Sequence, residues 1–357
     1  MVKLRDVAEA AGVSVTTASM VLNPGKQICR VRPECAEKIK LVAQRLGYVG
    51  NYHARAMQLG RAETIGLALD AGQVGLDNQG PASVIGGPYF SQLAGGVESY
   101  THYTGYNLTI IGPGKTERAP DRGVRQLLQR RLDGLVVSGV LTSINSSRLL
   151  QEEPLLPVVL AEYESPTQIP VVTYGEQEGV ALGVSHLAEL GHRELLWLGP
   201  DNPGPARREQ MFIRGVWDRG LRGSSCRFSV GVDKPDTNPV ADAAQAALTQ
   251  KLKEPRTFTG LVCYNDATAI GAYGALMNAG LRIPADVSVV GFDDFSASSV
   301  FPRLTTVSHV LAEMGRKAAE LVYEMAADPK AMERLRGHRE VIIPRLIKRD
   351  SSGPAKS

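Results

Sequence analysis

The sequence contains no long apolar run. None of its 357 residues lies in a stretch that approaches the roughly 18 consecutive apolar residues of a membrane-spanning helix. The first residues, MVKLRDVAEA, are charged and amphipathic, without the apolar centre of a signal peptide. We therefore expect a cytoplasmic protein with no membrane partner.

Cysteines and catalytic motifs are equally scarce. The four cysteines have spacings that match no metal motif, and they are too few for a disulfide framework. The sequence lacks the G-x-S-x-G, Walker, H-E-x-x-H and G-x-G-x-x-G motifs, and its six histidines are scattered. We expect no enzyme, and accordingly no catalytic residue, bound metal or cofactor.

Basic residues are concentrated near the N-terminus. Residues 1–61 hold ten Lys and Arg against four Asp and Glu, a net charge of +6, whereas the rest of the chain holds 30 against 33, a net charge of −3. A small basic head on a slightly acidic body indicates a polyanionic partner for the head alone. A solvated charged surface would give the same count.

The head has the pattern of three short helices. Residues 4–11 place apolar side chains on one helical face, Gly12 permits a sharp turn, and Ser14 stands where a helix N-cap is expected. Residues 15–22 then form a second helix, and a third begins at Pro33 and runs to about Leu46. The pattern predicts a helix-turn-helix domain.

From Thr64 onward, apolar strands alternate with helices. This alternation predicts an α/β fold with parallel sheets, and eight strands over so long a segment favour two lobes. Ligands of such sheets bind beyond the carboxyl ends of the strands, which here means between the lobes. The predicted strands are TIGLAL, NLTIIG, GLVVSG, LPVVLA, PVVTYG, ELLWLG, GLVCYN and VSVVGF.

Two blocks of motifs resemble one family along nearly the whole chain. The head, LRDVAEAAGVSVTTASMVLN, is similar to the D-V-A-x-x-A-G-V-S-x-x-T-V-S-x-V-L-N pattern of the LacI/GalR family of bacterial transcription regulators. The body repeats the family's order of segments, most specifically in NDATAIGAYGALMNAGLRIPADVSVVGFDD. Periplasmic sugar-binding proteins share the lobed body but lack the head and carry an export signal.

The resemblance implies a periplasmic-binding-protein-like core whose lobes exchange chain three times. We place the crossovers near 172, 310 and 339. The predicted domains are a helix-turn-helix head (1–49), a hinge helix or linker (50–62), a core (63–347) and a tail (348–357). Within the core, lobe 1 comprises 63–172 and 310–338, and lobe 2 comprises 173–309 and 339–347.

The resemblance also indicates which head residues meet DNA. Val15, Thr16 and Met20 occupy positions that face base edges, where apolar side chains can contact thymine methyl groups. Alternatively, Met20 packs inside the head. Phosphate contacts fall to Ser14, Thr17, Ser19 and Asn23, each of which also suits a cap or a turn.

The hinge carries the second set of predicted DNA contacts. In the family, paired hinge helices enter the minor groove and insert an apolar wedge; here Ala54 and Arg55 match the motif and Met57 replaces the usual leucine. Asn51 begins this segment, and Gly50 stands where proline is usual. A plain flexible linker is the alternative. We expect the hinge and the dimer spacing to supply much of the specificity.

The family's effector-binding positions can be matched in the core. Arg208, Asn265 and Asp293 match polar positions that hold the ligand, and Glu162 stands where an aspartate is common. Tyr89 and Phe90 match an aromatic pair near the cleft, whereas Gly175 and Glu176 replace a common Asp-Asn pair. Alternatively, Arg208 and Asp293 form an internal salt bridge across the cleft.

Together with these residues, the resemblance implies a homodimeric repressor of carbohydrate-utilisation genes. It would bind near-palindromic double-stranded operator DNA in the bacterial nucleoid, under control of a small effector between the lobes. Carboxylates, Arg, Asn and an aromatic surface suit a neutral sugar. A purine or a phosphorylated metabolite is the alternative effector; a solute-binding protein or an enzyme fits the chain less well.

Overall fold

The computed structural model describes residues 2–22, 31–50, 56, 59–70, 87–112, 118–139, 156–161, 168–230 and 239–356. Within these ranges, no helix is long and apolar enough to cross a membrane.

The head consists of the three predicted helices. They are α1 (Leu4–Ala11), α2 (Val15–Leu22) and α3 (Pro33–Leu46). Gly12 adopts the left-handed conformation (φ 71°) that ends α1, and its backbone N–H donates to carbonyls of the last turn. Val7, Ala18 and Ile39, one from each helix, are fully buried against one another. This apolar centre fixes the angle at which α2 is presented.

The first six-stranded sheet forms the core of lobe 1, with strand order β11-β5-β4-β3-β1-β2, and all its pairs are parallel. Four helices accompany it, two of which pack on its strands and on each other. The elements are β1 (Thr64–Asp70), α4 (Pro88–Thr104), β2 (Asn107–Ile111), α5 (Ala119–Leu128), β3 (Gly134–Gly139), β4 (Val158–Ala161), β5 (Val171–Tyr174), α10 (Leu311–Ala327), α11 (Pro329–Arg334) and β11 (Arg339–Ile342).

The second six-stranded sheet forms the core of lobe 2, with strand order β12-β10-β9-β8-β6-β7, and only the β10–β12 pair is antiparallel. The elements of this lobe are α6 (Glu176–Glu189), β6 (Glu194–Pro200), α7 (Pro203–Trp217), β7 (Arg222–Phe228), α8 (Pro239–Lys251), β8 (Gly260–Cys263), α9 (Asp266–Asn278), β9 (Ser288–Asp293), β10 (Thr305–Ser308) and β12 (Leu346–Ile347). The predicted α/β class with parallel sheets is confirmed.

The chain passes between the lobes three times, each time from the carboxyl end of a strand. The passages follow β5, β10 and β11. The predicted assignment of residues 339–342 to lobe 2 is wrong, because β11 pairs in parallel with β5 of lobe 1. The first passage likewise lies after Tyr174, which is still part of β5. The carboxyl ends of both sheets therefore meet at the passages.

Each lobe contains two helices in contact at their backbones. In lobe 1 a Cβ atom built on Gly96 of α4 would lie 2.0 Å from the Ala312 carbonyl oxygen, and one on Gly315 of α10 would lie 2.2 Å from that of Leu93. In lobe 2, a Cβ on Gly271 of α9 would lie 2.1 Å from the Ala241 carbonyl oxygen of α8. Only glycine permits these approaches, so they hold each helix pair in a single register.

The segment predicted as a tail is part of lobe 2 as far as the structure describes it. Ser351 is fully buried; its carbonyl accepts from Val289 N–H (2.8 Å), and its hydroxyl donates to Val289 O (2.6 Å). His186 Nε2 lies 2.8 Å from the Ser352 hydroxyl, and His192 Nε2 lies 3.1 Å from the Gly353 carbonyl. Small polar residues are suited to this segment, because most of its contacts with lobe 2 are made by backbone groups.

These two buried histidines make the stability of lobe 2 dependent on pH. Burial lowers the pKa of both imidazoles, and the charge of Lys348 lowers that of His186 further. A folded-state pKa below the unfolded value of 6.5 means that the neutral rings stabilise the fold above that pH. This contribution is lost as the pH falls through the folded-state pKa. We expect the thermal unfolding midpoint to fall when the pH is lowered from about 7.5 to about 5.5. Each kcal/mol lost from the free energy of unfolding lowers the midpoint by about 2–4 °C.

The matched comparison is the double variant His186→Asn/His192→Asn, whose midpoint should change less over the same interval. The difference between parent and variant isolates the histidines, because Asp266, with a pKa raised to about 7, contributes with the opposite sign. His102→Asn, at an exposed position, should behave as the parent does. Parallel pH curves for parent and double variant would contradict the assignment.

Candidate functional site

The helix α2 presents the predicted base-facing side chains outward. Val15 and Met20 are 46% and 45% exposed, and Thr16 is exposed as well. The alternative that Met20 packs inside the head is therefore wrong. Ser14 caps the helix, accepting from Thr17 N–H at 3.0 Å.

The remaining predicted head and hinge contacts lie mostly beyond the described ranges. Thr17 and Ser19 are half-buried on α2. Asn23, Asn51, Ala54, Arg55 and Met57 lie outside the described residues.

The end of the hinge is described. Ala56 and Leu59 are helical, Gly60 is left-handed (φ 67°), and Arg61 N–H donates to Ala56 O over 3.2 Å. This bond closes the C-terminal turn of a helix around a left-handed glycine. The described part of the hinge thus ends as a helix.

Arg208, on α7, is enclosed where the lobes meet. It is 3% exposed, and its guanidinium stacks between the rings of Phe292 (4.0 Å to the centroid) and Tyr264 (4.6 Å). Its Nη2 donates to the hydroxyl of Tyr174, the last residue of β5 in lobe 1, at 3.0 Å. The arginine therefore joins lobe 2 to lobe 1.

Its carboxylate partner is Glu176, not Asp293. Arg208 Nε donates to Glu176 Oε1 at 3.1 Å, while Arg207 Nη2 lies 2.5 Å from Glu176 Oε2. Burial alone would raise the pKa of Glu176, but the charges of Arg208 and Arg207 outweigh it, so the pKa is lowered. The alternative of an Arg208–Asp293 salt bridge is wrong, because in the described part of the chain Arg208 forms its ion pair with Glu176, at the N-terminus of α6.

Asp293 occupies a strained position at the end of β9. Its φ is 108° and that of Asp294 is 63°, in the region that non-glycine residues rarely adopt. Its Oδ1 lies 3.2 Å from His309 Nδ1, without the alignment of a hydrogen bond. Such strain persists only where surrounding contacts impose it.

Two side chains anchor the chain next to Asp293. The buried Asp266 carboxylate accepts from Phe295 N–H (2.9 Å) and from the Thr306 hydroxyl (2.7 Å). Burial, with a contribution from Asp293, raises the Asp266 pKa to about 7. On the other side, Arg349 pairs with Asp294 at 2.7 Å. The chain directly after Asp293 is thus fixed at the end of β9.

His309 is surrounded by aromatic rings from both lobes. The rings of Tyr174 (4.3 Å) and Tyr89 (5.7 Å) approach it from lobe 1, and those of Phe292 (6.0 Å) and Phe295 (6.4 Å) from lobe 2. Neither of its ring nitrogens has an aligned hydrogen-bond partner in the described part of the chain. The Tyr89 hydroxyl and the Ser138 hydroxyl are also buried and unpaired by the same measure.

The other predicted effector residues are placed differently from one another. Asn265 caps α9, its side-chain oxygen accepting from Thr268 N–H at 2.9 Å. Tyr89 reaches His309, whereas Phe90, 3% exposed, belongs to the apolar core. Glu162 lies outside the described residues.

Sequence reasoning missed Tyr174, Tyr264 and His309 and did not assign Glu176 a role. The one sequence feature that could have indicated this arrangement was Glu176, which with Gly175 replaces the Asp-Asn pair common in the family.

Comparison with known proteins agrees with this architecture. Residues 3–51 match the model of the bacterial regulatory proteins of the lacI family, and residues 184–352 match a periplasmic binding protein-like domain. The chain joins a LacI-family DNA-binding domain to a periplasmic binding protein-like domain. It is a DNA-binding transcription regulator rather than an enzyme, as the absent catalytic motifs predicted.

Curated relatives match the chain along nearly its whole length. The ribose operon repressor of Escherichia coli is 28% identical over 355 residues, covering 99% of this chain and 100% of the relative. The transcriptional regulator GalR of the same organism is 28% identical over 363 residues, covering 98% and 96%. The transcriptional repressor PurR of Haemophilus influenzae is 26% identical, covering 91% of each.

Solved structures share the fold. The lac repressor dimer bound to operator and an anti-inducer superposes with a TM-score of 0.77 at 25% identity, covering 99% of each chain. A LacI-family regulator from Enterococcus faecium with bound ribose gives 0.61 at 22% identity, covering 82% of this chain and all of the other.

Proposed function

We propose that this LacI-family chain represses carbohydrate-utilisation genes in the bacterial cytoplasm, as a homodimer on near-palindromic double-stranded operator DNA. A sugar bound between the lobes would control operator affinity. The observation that carries the proposal is the polar cluster at the passages between the lobes, where the Asp293 carboxylate, the Asn265 cap and the Arg208–Glu176 pair lie, in a chain that also carries a helix-turn-helix head.

The exposed face of α2 supports contacts to bases in the major groove that are mainly apolar. Val15 and Met20 offer apolar contact to thymine methyl groups, and Thr16 a hydroxyl or a methyl group. The proposed phosphate contacts are made by Ser14, Thr17, Ser19 and Asn23. None of the three base-facing side chains makes the bidentate hydrogen bonds that discriminate most strongly among bases.

We therefore assign much of the specificity to the hinge, through Asn51, Ala54, Arg55 and Met57. We expect Met57→Gly to weaken operator binding about a hundredfold and Val15→Ala less than about fivefold, because the wedge supports the bend of the whole duplex. Titration of a duplex selected by the parent from a random pool measures both. Equal losses would contradict hinge-dominated recognition.

An exposed apolar surface in lobe 2 supports the homodimer. Met277 on α9 is 65% exposed and Phe301 is 80% exposed. The Tyr273 hydroxyl, one turn before Met277, donates to Pro302 O at 2.8 Å, so the Phe301 loop lies against the same helix. Large apolar groups clustered at a surface are typical of protein interfaces.

The charges in the cleft support a neutral effector. Arg208 and Arg207 share the Glu176 carboxylate, which leaves one net positive charge, and the nearby Asp293 carboxylate offsets that charge before a phosphate could. The Asp293 carboxylate, which lies beside His309, would repel an anion and accept hydrogen bonds from hydroxyls. These contacts favour a sugar over a phosphorylated metabolite, and Tyr89 and Phe295 can pack against its apolar face.

Control of DNA binding requires that the effector bind the two lobe arrangements with different affinity. Tyr174, Arg208 and His309 link the lobes at the passages, so a ligand held by Asp293 and Asn265 would act where the lobes turn.

The deciding experiment is thermal unfolding of the full chain with a panel of sugars, sugar phosphates and purines. A ligand at a hundredfold excess over its Kd stabilises the folded state by about 2.7 kcal/mol. We expect a neutral sugar to raise the midpoint in the parent and to raise it far less in Asp293→Asn. If only a sugar phosphate or a purine raises the midpoint, the effector is not a neutral sugar, but the assignment as a DNA-binding regulator is unaffected.

A further inference from the structure

Directly after the hinge, the chain forms two hydrogen bonds to lobe 1. Arg61, the first residue beyond the left-handed Gly60, donates from Nη2 to the carbonyl oxygen of Ala327 at 3.3 Å. The next residue, Ala62, is buried, and its N–H donates to Asp133 Oδ1 at 2.7 Å. Two consecutive residues therefore fix where the hinge leaves the body.

The carbonyl that Arg61 reaches belongs to the last residue of α10. Carbonyls in the last turn of a helix have no partner within the helix and carry the negative end of its dipole. A guanidinium at this place is therefore stabilised by both a hydrogen bond and the helix charge. The C-terminus of the hinge helix and the C-terminus of α10 are joined through one side chain.

An aromatic cluster packs around the same end of α10. The Tyr323 ring lies 5.1 Å from that of Tyr106 and 5.9 Å from that of Tyr100. Burial raises the pKa of Tyr106 to about 12, a rise that the neighbouring Arg61 charge opposes. Arg61 is thus held against a rigid surface of lobe 1.

The other end of α10 begins at the effector cleft. Val310, its N-cap residue, is left-handed (φ 55°) and directly follows His309, which contacts rings of both lobes. The 17 residues of α10 span about 25 Å at a rise of about 1.5 Å per residue. Backbone contact with α4 at Gly96 and Gly315 leaves little room for bending along this length.

We propose that Arg61 is a positioning residue that couples the hinge to α10, so that a change at the His309–Val310 passage reaches the DNA-binding hinge through this helix. The inference rests on the proposed operator binding. To that function it adds a route, α10, from the cleft to the hinge. It also adds a residue, Arg61, that belongs neither to the cleft nor to the predicted DNA contacts.

A double-mutant cycle in the full-length chain tests the route without any effector. The probe is a duplex that the parent selects from a random-sequence pool, titrated against the parent, Arg61→Met, Val310→Asn and the double variant. Val310→Asn relieves the left-handed strain and supplies an N-cap acceptor, so the fold is retained. Arg316→Met is the control, since it removes an exposed arginine from the middle of α10.

We expect Arg61→Met to weaken duplex binding about tenfold and Arg61→Lys, which keeps a donor, much less. Val310→Asn should change the affinity severalfold in the parent and hardly at all in Arg61→Met. If the two sites were independent, the affinity change of the double variant would equal the product of the two single changes within roughly twofold. We expect it to differ from that product by about fivefold. A purely structural role for Arg61 would lower the unfolding midpoint without producing this departure.

Three results would overturn the inference. If the effects of the two substitutions multiply, α10 does not carry the coupling. If Arg61→Met binds as Arg316→Met does, Arg61 does not position the hinge, while operator binding stands. If the parent selects no duplex at all, the proposed function fails, and the role of Arg61 fails with it.

Discussion

Arg208→Met is expected to lower the free energy of unfolding by about 3 kcal/mol, because it leaves the Glu176 carboxylate buried without its main partner. Arg208 is 3% exposed, so solvent does not screen the pair. The substitution also removes the hydrogen bond to Tyr174 and the stacking on Phe292. Such a loss is a large share of the roughly 5–15 kcal/mol that is typical of a folded protein. Chemical denaturation measures it.

Two comparisons separate charge burial from general damage. Arg214→Met, on the exposed face of the same helix and 3.9 Å from Asp218, should cost less than about 0.5 kcal/mol. Adding Glu176→Gln to Arg208→Met should restore part of the stability, since the uncompensated charge is then gone. A double variant that is less stable than the sum of the single variants would rule out this explanation.

Gly96→Ala is expected to lower the free energy of unfolding by about 3 kcal/mol or more, because the added methyl group would lie 2.0 Å from the Ala312 carbonyl oxygen. A backbone carbonyl within a helix cannot rotate aside, so α4 and α10 must separate. The adjacent Gly95 is the matched control, since a Cβ there meets nothing within 4 Å. Gly95→Ala should raise the stability by about 0.5–1 kcal/mol through helix propensity.

The same pair of variants also bears on function. If α4 and α10 separate, the C-terminal end of α10 should shift with respect to Arg61, and duplex binding by Gly96→Ala should weaken while that by Gly95→Ala does not. Similar stabilities for the two variants would show that the helices can move apart at little cost.

The sequence predicted the strands that have continuous apolar runs, and it missed those that do not. β7 reads RGSSCRF and lies at the edge of its sheet, with most of its side chains exposed or half-buried, so it carries no apolar signal. β11 reads REVI and has one buried residue. Its assignment to lobe 1 depends on parallel pairing with a strand more than 160 residues earlier, which periodicity does not reveal.

In the cleft, the motif positions of Arg208, Asn265 and Asp293 could be predicted, but their partners could not. The partner of Arg208 comes from the start of α6, that of Asp293 from the passage after β10, and the support for Asp294 from the C-terminal segment. Family patterns mark the positions that most members share. Glu176 and His309 depart from or lie outside the matched motifs, so only their proximity in the fold identifies them.

The order of the chain through the two lobes has a consequence for synthesis on the ribosome. The helix-turn-helix head is contiguous, so it can fold as soon as its three helices have emerged. Lobe 1 lacks α10 and its outer strand β11 until residue 342 has been translated, and lobe 2 lacks the buried Ser351 until that residue has been translated. A basic, DNA-binding head is therefore complete long before either half of the cleft that controls it.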